Sequence, residues 1–120
     1  EWECECGDIH QGIEKLCKLG APEELLTLTA EGIEQVCGAK FLRRAGVIRF
    51  QNVELELALD RGVLTGGGRE LPLCEVEVEL KSGNPEDAVA FGTILSHRFG
   101  LVPENRSKFK RALALAKGEL

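Results

Sequence analysis

The sequence predicts an α+β domain built on an antiparallel sheet, and three observations lead to this prediction. Two stretches, 53–60 and 70–81, alternate apolar and charged side chains with a period of two, which is typical of strands. Short turns rich in Asn or Gly precede each of them, as in hairpins. A segment with the start and stop signals of a helix follows the second stretch. We interpret residues 1–120 as a single domain.

The composition is that of an ordinary globular domain, with 43% hydrophobic and 29% charged residues. A net charge of -5 argues against a broad basic face for nucleic acid. No apolar run approaches the length of a membrane span, so neither nucleic acid nor membrane is expected as a partner. The five cysteines include no Cys-x-x-Cys pair, which favours a reducing cytoplasm over a secreted disulfide scaffold.

The N-terminal third is predicted from local signals. Residues 1–6 alternate acidic and apolar side chains, which predicts a short strand with an acidic face. Asp8 is expected to cap a helix that runs to about Leu19. Residues 23–28 are predicted to form about one helical turn, and residues 30–38 a loop or an irregular strand.

Three strands and two turns are predicted in the middle of the chain. Residues 39–50 alternate, residues 51–52 form a tight turn, and residues 53–60 alternate most clearly. The glycines at 66–68 lack the Lys-Ser/Thr and the following helix of a phosphate-binding loop, so they predict a hairpin into the strand at 70–81.

The C-terminal part carries one clear helix and one ambiguous segment. Asn84 is predicted as the cap, Pro85 as the first helical residue and Gly100 as the stop. The apolar positions of this helix are expected to cover the apolar side of the sheet. Residues 108–115 are a helix by composition but a strand by alternation, and the pattern leaves both open.

The face opposite the apolar one is charged on several predicted strands. Carboxylates at alternate positions lie about 6.5 to 7 Å apart and repel one another unless water, cations or bases cover them. Paired carboxylates suit Mg²⁺ or Mn²⁺, while Arg and Lys suit phosphate oxygens. A solvated outer sheet face is the alternative. The members are Glu1, Glu3, Glu5, Glu54, Glu56, Asp60, Glu75, Glu77, Glu79, Arg43, Arg49, Lys81, Lys108 and Arg111.

Five short motifs, taken in order over nearly all the chain, resemble the CYTH domain of the triphosphate tunnel metalloenzyme family. The family's Glu-x-Glu-x-Lys strand, its Arg-x-Arg strand and the next Lys-bearing strand would precede Glu1. Glu77 to Lys81 does spell Glu-x-Glu-x-Lys, but the helix and Ser-Lys that follow place it in the C-terminal strand. The five motifs are Glu1-Trp2-Glu3, Phe41-Leu42-Arg43, residues 53–62, Glu75-Val76-Glu77 and Ser107-Lys108.

The resemblance implies about half of a closed eight-stranded antiparallel β-barrel, or tunnel, with helices packed on its outside and the N-terminal half absent. One or two divalent cations, Mg²⁺ or Mn²⁺, would bind the acidic residues, and a triphosphate would bind the basic ones. The implied metal ligands are Glu75, Glu77, Asp60 and Glu56, the catalytic residues Glu75 and Glu77, and the phosphate ligands Arg43, Lys108, Arg49, Arg111 and Lys81.

The implied activity is hydrolysis of inorganic triphosphate or a related triphosphate. Cyclisation of ATP, a second activity of the family, is less well supported because no adenine-reading feature is visible. The alternative is a non-catalytic module that binds polyphosphate or nucleotides, or that oligomerises. The fragment alone is expected to be inactive, and to pair with its missing N-terminal half or with a second copy through free strand edges.

Overall fold

The computed structural model describes residues 1–120 and divides them into two compact units, Glu1–Gln35 and Val36–Leu120. None of the five cysteines forms a disulfide bond. None of the helices combines the length and the apolar character needed to cross a membrane.

The first unit contains two helices, as the sequence predicts. The helix α1 spans Ile9–Lys18, and Asp8 caps it by accepting a hydrogen bond from the backbone N–H of Gln11 at 2.9 Å. The short helix α2 spans Glu24–Leu28. Ile13 is the largest apolar side chain that is buried in this unit.

The strand predicted at residues 1–6 is wrong, because this segment belongs to no sheet. The first unit contains no strand, so the backbone of residues 1–6 has no neighbouring strand with which to form ladder hydrogen bonds. The segment instead contacts the first helix: the Nζ atom of Lys15 donates to the carbonyl oxygen of Glu5 at 2.8 Å. Its acidic residues are therefore not part of a charged sheet face.

The second unit contains a three-stranded antiparallel sheet in the order β1-β2-β3. The strands are β1 (Cys37–Phe50), β2 (Val53–Gly66) and β3 (Arg69–Ser82), each 14 residues long. The sheet is open, so that β1 and β3 each have one unpaired edge. The α+β class is therefore confirmed, whereas closure into a barrel is not seen within this chain.

Two helices follow the sheet. The helix α3 spans Pro85–Phe99, with Asn84 as its cap and Gly100 at φ 64° after its last turn. The helix α4 spans Lys108–Ala116, which resolves the ambiguity of this segment in favour of a helix. The hydroxyl of Ser107 accepts a hydrogen bond from the backbone N–H of Lys110 at 3.0 Å and so caps α4.

The two helices pack on opposite faces of the sheet, which corrects the expectation that all helices lie on its outside. On the apolar face, the ring of Phe91 in α3 lies 5.2 Å from that of Phe50, next to the buried Val53. On the other face, Leu115 of α4 packs on Leu64. The helix α4 therefore lies on the face that carries the charged residues.

The helix α4 can pack on the face that carries the charged residues because this face is only partly charged. Leu64 and Leu73 share it with Asp60 and Glu75, but they lie nearer the turn between β2 and β3. The apolar side of α4 covers these leucines, so burial of apolar surface holds the helix there. The N-terminal end of α4 then lies over the charged part of the face.

Candidate functional site

The strand register brings residues from three strands into one charged cluster. Arg43 in β1 lies opposite Asp60 in β2, and Asp60 lies opposite Glu75 in β3. Glu77, two positions further along β3, points to the same face. Directly paired residues of antiparallel strands share a face, so the alternating pattern of each strand brings these side chains together.

Three carboxylates lie close enough to share one cation. The ligand oxygens of Asp60, Glu75 and Glu77 all lie within 4.8 Å of one another. Asp60 is fully buried, and like charges this close raise each other's energy unless cations compensate them. Three basic side chains supply that compensation.

Lys108, the first residue of α4, makes the central contacts. Its Nζ atom lies 2.8 Å from Oδ2 of Asp60, 2.7 Å from Oε1 of Glu75 and 2.5 Å from Oε1 of Glu77. An ammonium group has three N–H donors, so one lysine can serve all three carboxylates. Only 15% of its side chain is exposed.

Two arginines bind the outer side of the carboxylate group. Arg43 forms a fork with Asp60, from Nε to Oδ1 at 2.7 Å and from Nη2 to Oδ2 at 2.8 Å, and Nη2 also reaches Oε2 of Glu77 at 3.1 Å. Arg111 donates from Nη2 to Oε2 of Glu75 at 2.8 Å. The cluster therefore contains as many basic groups as carboxylates.

These contacts shift the pKa values of Asp60, Glu75 and Lys108 in the direction that favours the charged form of each group. The hydrogen bond from Arg43 lowers the pKa of Asp60 to about 2, against the opposing effect of burial. Burial raises the pKa of Glu75, but hydrogen bonds from Lys108 and Arg111 outweigh it, and the net shift is downward. Burial alone would lower the pKa of Lys108, yet its carboxylate partners raise that pKa overall. Asp60, Glu75 and Lys108 are therefore ionised at neutral pH.

The start of α4 is unusually basic. Its first turn holds Lys108, Lys110 and Arg111 and no acidic residue. The N-terminal end of a helix carries a partial positive charge that favours acidic side chains, so this arrangement is unfavourable in isolation. The carboxylates of β2 and β3 compensate it. A local sequence preference broken in this way is typical of a functional site.

Phe41 and Gly62 belong to the site, although neither side chain can bind a metal or a phosphate group. The Phe41 ring centroid lies 4.9 Å from Nζ of Lys108 and 5.5 Å from Cζ of Arg43. Gly62 lies opposite Phe41, and a Cβ atom there would come within 2.6 Å of the Phe41 Cα atom. Two signals pointed to Phe41: it lies two positions before Arg43 and so shares its face, and it is the first residue of the Phe41-Leu42-Arg43 motif.

The remaining predicted site residues lie further along the same face. Lys81 contacts Glu79 at 3.3 Å and Glu56 at 3.8 Å. Arg49 pairs with Glu54 at 3.0 Å, and its side chain is 73% exposed. Glu56, Arg49 and Lys81 are therefore not part of the central cluster.

An open cleft of about 890 Å³ borders the cluster. It runs along the outer edge of β3, between that strand and the part of the chain from α3 to the start of α4. Glu75, Glu77, Lys108 and Arg111 line it on the side of the cluster. A ligand in the cleft could thus contact both acidic and basic groups.

The donor set fits a small divalent cation. Three carboxylates provide hard oxygen ligands, which Mg²⁺ and Mn²⁺ prefer over the sulfur and imidazole ligands of zinc or copper sites. Basic side chains on the same carboxylates fit the phosphate oxygens that such cations accompany in proteins.

The comparison with known proteins finds a similarity to an enzyme that acts on a polyphosphate. No protein-family model matches the chain. Over 88 residues, or 73% of its length, the chain is 32% identical to a protein of Haemophilus influenzae named inorganic triphosphatase. The matched part makes up 25% of that protein, so the chain spans about a quarter of the length of this relative.

Proposed function

We propose that the chain is part of a CYTH-type enzyme that hydrolyses inorganic triphosphate or a related triphosphate with the help of a divalent cation. The observation that carries this proposal is the cluster at the start of α4, where Asp60, Glu75 and Glu77 meet Lys108, Arg43 and Arg111. The similarity to an inorganic triphosphatase supports the same chemistry.

Asp60, Glu75 and Glu77 are the proposed metal ligands, and Glu75 and Glu77 the catalytic carboxylates. A bound Mg²⁺ or Mn²⁺ would offset the negative charge of phosphate oxygens and so favour attack by water on phosphorus. Glu56 is proposed only as a more distant metal ligand, because it pairs with Lys81 further along the face.

The basic side chains are the proposed phosphate ligands. Arg43 and Arg111 present planar donor groups that can bind two oxygens at once, whereas Lys108 acts as a point charge. Arg49 and Lys81 lie toward the other end of the same face. They would contact the far end of an extended anion, so the bound substrate would lie along the strands of the sheet.

The free sheet edges support the proposal that this unit is one wall of a larger barrel. Both β1 and β3 have an unpaired edge, and each strand is 14 residues long. Such edges readily pair with further strands. The partner is proposed to be another segment of the same protein or a second copy. A stable monomer in sedimentation of the 120-residue chain would contradict this.

The deciding experiment measures phosphate release from inorganic triphosphate by the full-length protein. Release is expected with Mg²⁺ or Mn²⁺, and it should stop when a chelator removes the metal. The 120 residues alone are expected to show little or no turnover. Release that persists in the chelator would contradict the metal dependence.

A non-catalytic binding module is the second candidate, and one observation favours it. Every carboxylate of the cluster is already paired with a base from the same unit, so the cluster is stable without a ligand. Saturable binding of triphosphate without any release of phosphate would favour this candidate over the enzyme.

A further inference from the structure

We propose that Lys108 is a built-in competitor of the metal: its ammonium group takes the cation position among the carboxylates and moves toward the cleft when the metal binds. This inference rests on the proposed function and concerns how that site is regulated. It makes one side chain the physical link between metal binding and anion binding.

The first step is that one space cannot hold both cations. The ammonium of Lys108 already lies within 2.8 Å of an oxygen from each of Asp60, Glu75 and Glu77. A magnesium ion held by the same oxygens would lie about 2.0 to 2.1 Å from each of them. Two positive charges so close together repel strongly, so occupation by the metal requires the ammonium to leave.

The second step is that the two arginines need not move. Lys108 contacts Oε1 of Glu75 and Oε1 of Glu77, whereas Arg111 and Arg43 contact the Oε2 atoms of these residues. Only Oδ2 of Asp60 is shared between Lys108 and Arg43. The metal can therefore replace Lys108 while the arginines continue to hold the outer oxygens.

The third step is that Lys108 has somewhere to go. Its side chain is long and flexible, and it lines the open cleft beside β3. Its backbone belongs to α4, which the packing of Ala112 and Leu115 holds in place. The ammonium can thus swing toward the cleft without any movement of the helix.

The exchange changes the charge of the site. Before it, the basic groups balance the carboxylates. After it, the metal adds two positive charges, and the ammonium of Lys108 faces the cleft without a carboxylate partner. The metal-bound site is then positive and prepared for a polyphosphate, so each ligand strengthens the binding of the other.

Binding of Mn²⁺ to the full-length protein, followed by the paramagnetic resonance signal of free Mn²⁺ with no anion present, tests the competition. Lys108→Met is expected to bind Mn²⁺ at least tenfold more tightly than the wild type. Arg111→Met is the matched control, because it removes the same charge from the outer oxygen of Glu75 but not from the metal position. It should change the affinity less than threefold.

The possible results distinguish a failure of the competition from a failure of the proposed function. Equal gains in both variants, or no gain in Lys108→Met, would overturn the competition and leave the proposed function intact. If no variant and not even the wild type binds Mn²⁺, the metal-dependent function fails, and the competition fails with it.

A second measurement uses the wild-type protein, so it does not depend on the folding of a variant. The rate of acetylation of Lys108 by acetic anhydride is followed by mass spectrometry with and without Mg²⁺. Mg²⁺ should raise this rate several-fold relative to that of Lys110, an exposed lysine of the same helix. An unchanged or lower relative rate would overturn the competition.

Discussion

The Nζ atom of Lys108 lies 2.8 Å from Oδ2 of Asp60 and so joins the first residue of α4 to the middle of β2. Each residue is stabilised by the other. A buried carboxylate is costly without a cation, and a lysine at the start of a helix opposes the helix dipole. The pair adds an ionic contact to the packing of Leu115 on Leu64, which holds the helix over the sheet.

The stability of the metal-free protein should fall as the pH decreases from about 4 to about 2. Asp60 has a folded-state pKa of about 2 against an ordinary value of 3.8, so its contribution is present above the ordinary value and is lost through this window. The shift corresponds to a contribution of at most on the order of 2 kcal/mol to the free energy of unfolding. It is an upper value because Arg43, the main partner of Asp60, is 42% exposed, so that solvent screens its charge. Urea unfolding in a chelator at fixed pH values measures it.

Asp60→Asn should remove this part of the pH dependence and destabilise the protein at pH 7. Glu70→Gln is the control, because Glu70 is exposed on the same sheet. An Asp60→Asn curve that is parallel to the wild-type curve from pH 4 to pH 2 would contradict the assignment.

Gly62→Ala should destabilise the fold by on the order of 2 kcal/mol. A Cβ atom at this position would collide with the carbonyl oxygen of Lys40 and with Phe41, and both contacts involve backbone atoms. Gly46→Ala is the matched control, because Gly46 also lies in a strand but has no atom within 4 Å of the added carbon. The difference between their unfolding free energies is the quantity to measure, and equal values would refute the steric argument.

Arg43→Lys should destabilise the protein by about 1 to 3 kcal/mol, although the charge is kept. A lysine cannot reproduce the two-point contact with Asp60, so one oxygen of a buried carboxylate loses its donor. Arg49→Lys, which alters only an exposed pair with Glu54, should change stability by less than about 0.5 kcal/mol. Chemical denaturation of both variants tests this, and similar losses in the two would argue against the fork.

Glu75→Gln and Glu77→Gln should each lower triphosphate hydrolysis by the full-length protein at least about a hundredfold. Each change removes one charged ligand from the carboxylate group that is proposed to hold the metal. Glu79→Gln is the control on the same strand and face, and should keep activity within about threefold, because its carboxylate contacts only Lys81. Comparable losses of activity in all three variants would mean that the strand contributes only negative charge and not specific metal ligands.

The parts of the fold that follow local chemistry were predictable. The helix from Pro85 follows from the cap at Asn84 and the glycine at position 100, which act within one turn of the chain. The two hairpins follow from their turn residues at 51–52 and 67–68. The alternation of β2 and β3 then places Asp60 and the glutamates of β3 on one face.

The parts that depend on distant partners were not predictable. Residues 1–6 have the pattern of a strand, but no other strand in their unit pairs with them. The position of α4 depends on Leu64 and Leu73, which lie on the same face as the acidic residues, so strand parity alone does not predict that a helix covers this face. Besides the composition of residues 108–115, the hydroxyl of Ser107, which caps α4, is a local signal that favours a helix over a strand there.

The glycine hairpin between β2 and β3 supports the far end of α4. An added Cβ atom at Gly66 would lie within 2.9 Å of three atoms of Ala112 and Ala116, and Arg69 donates to the carbonyl oxygen of Leu115 at 3.0 Å. The nine-residue helix is about 13 Å long, so these contacts hold the end of the helix that lies opposite Lys108. Residues that touch no ligand thus help to fix the place from which the Lys108 side chain extends.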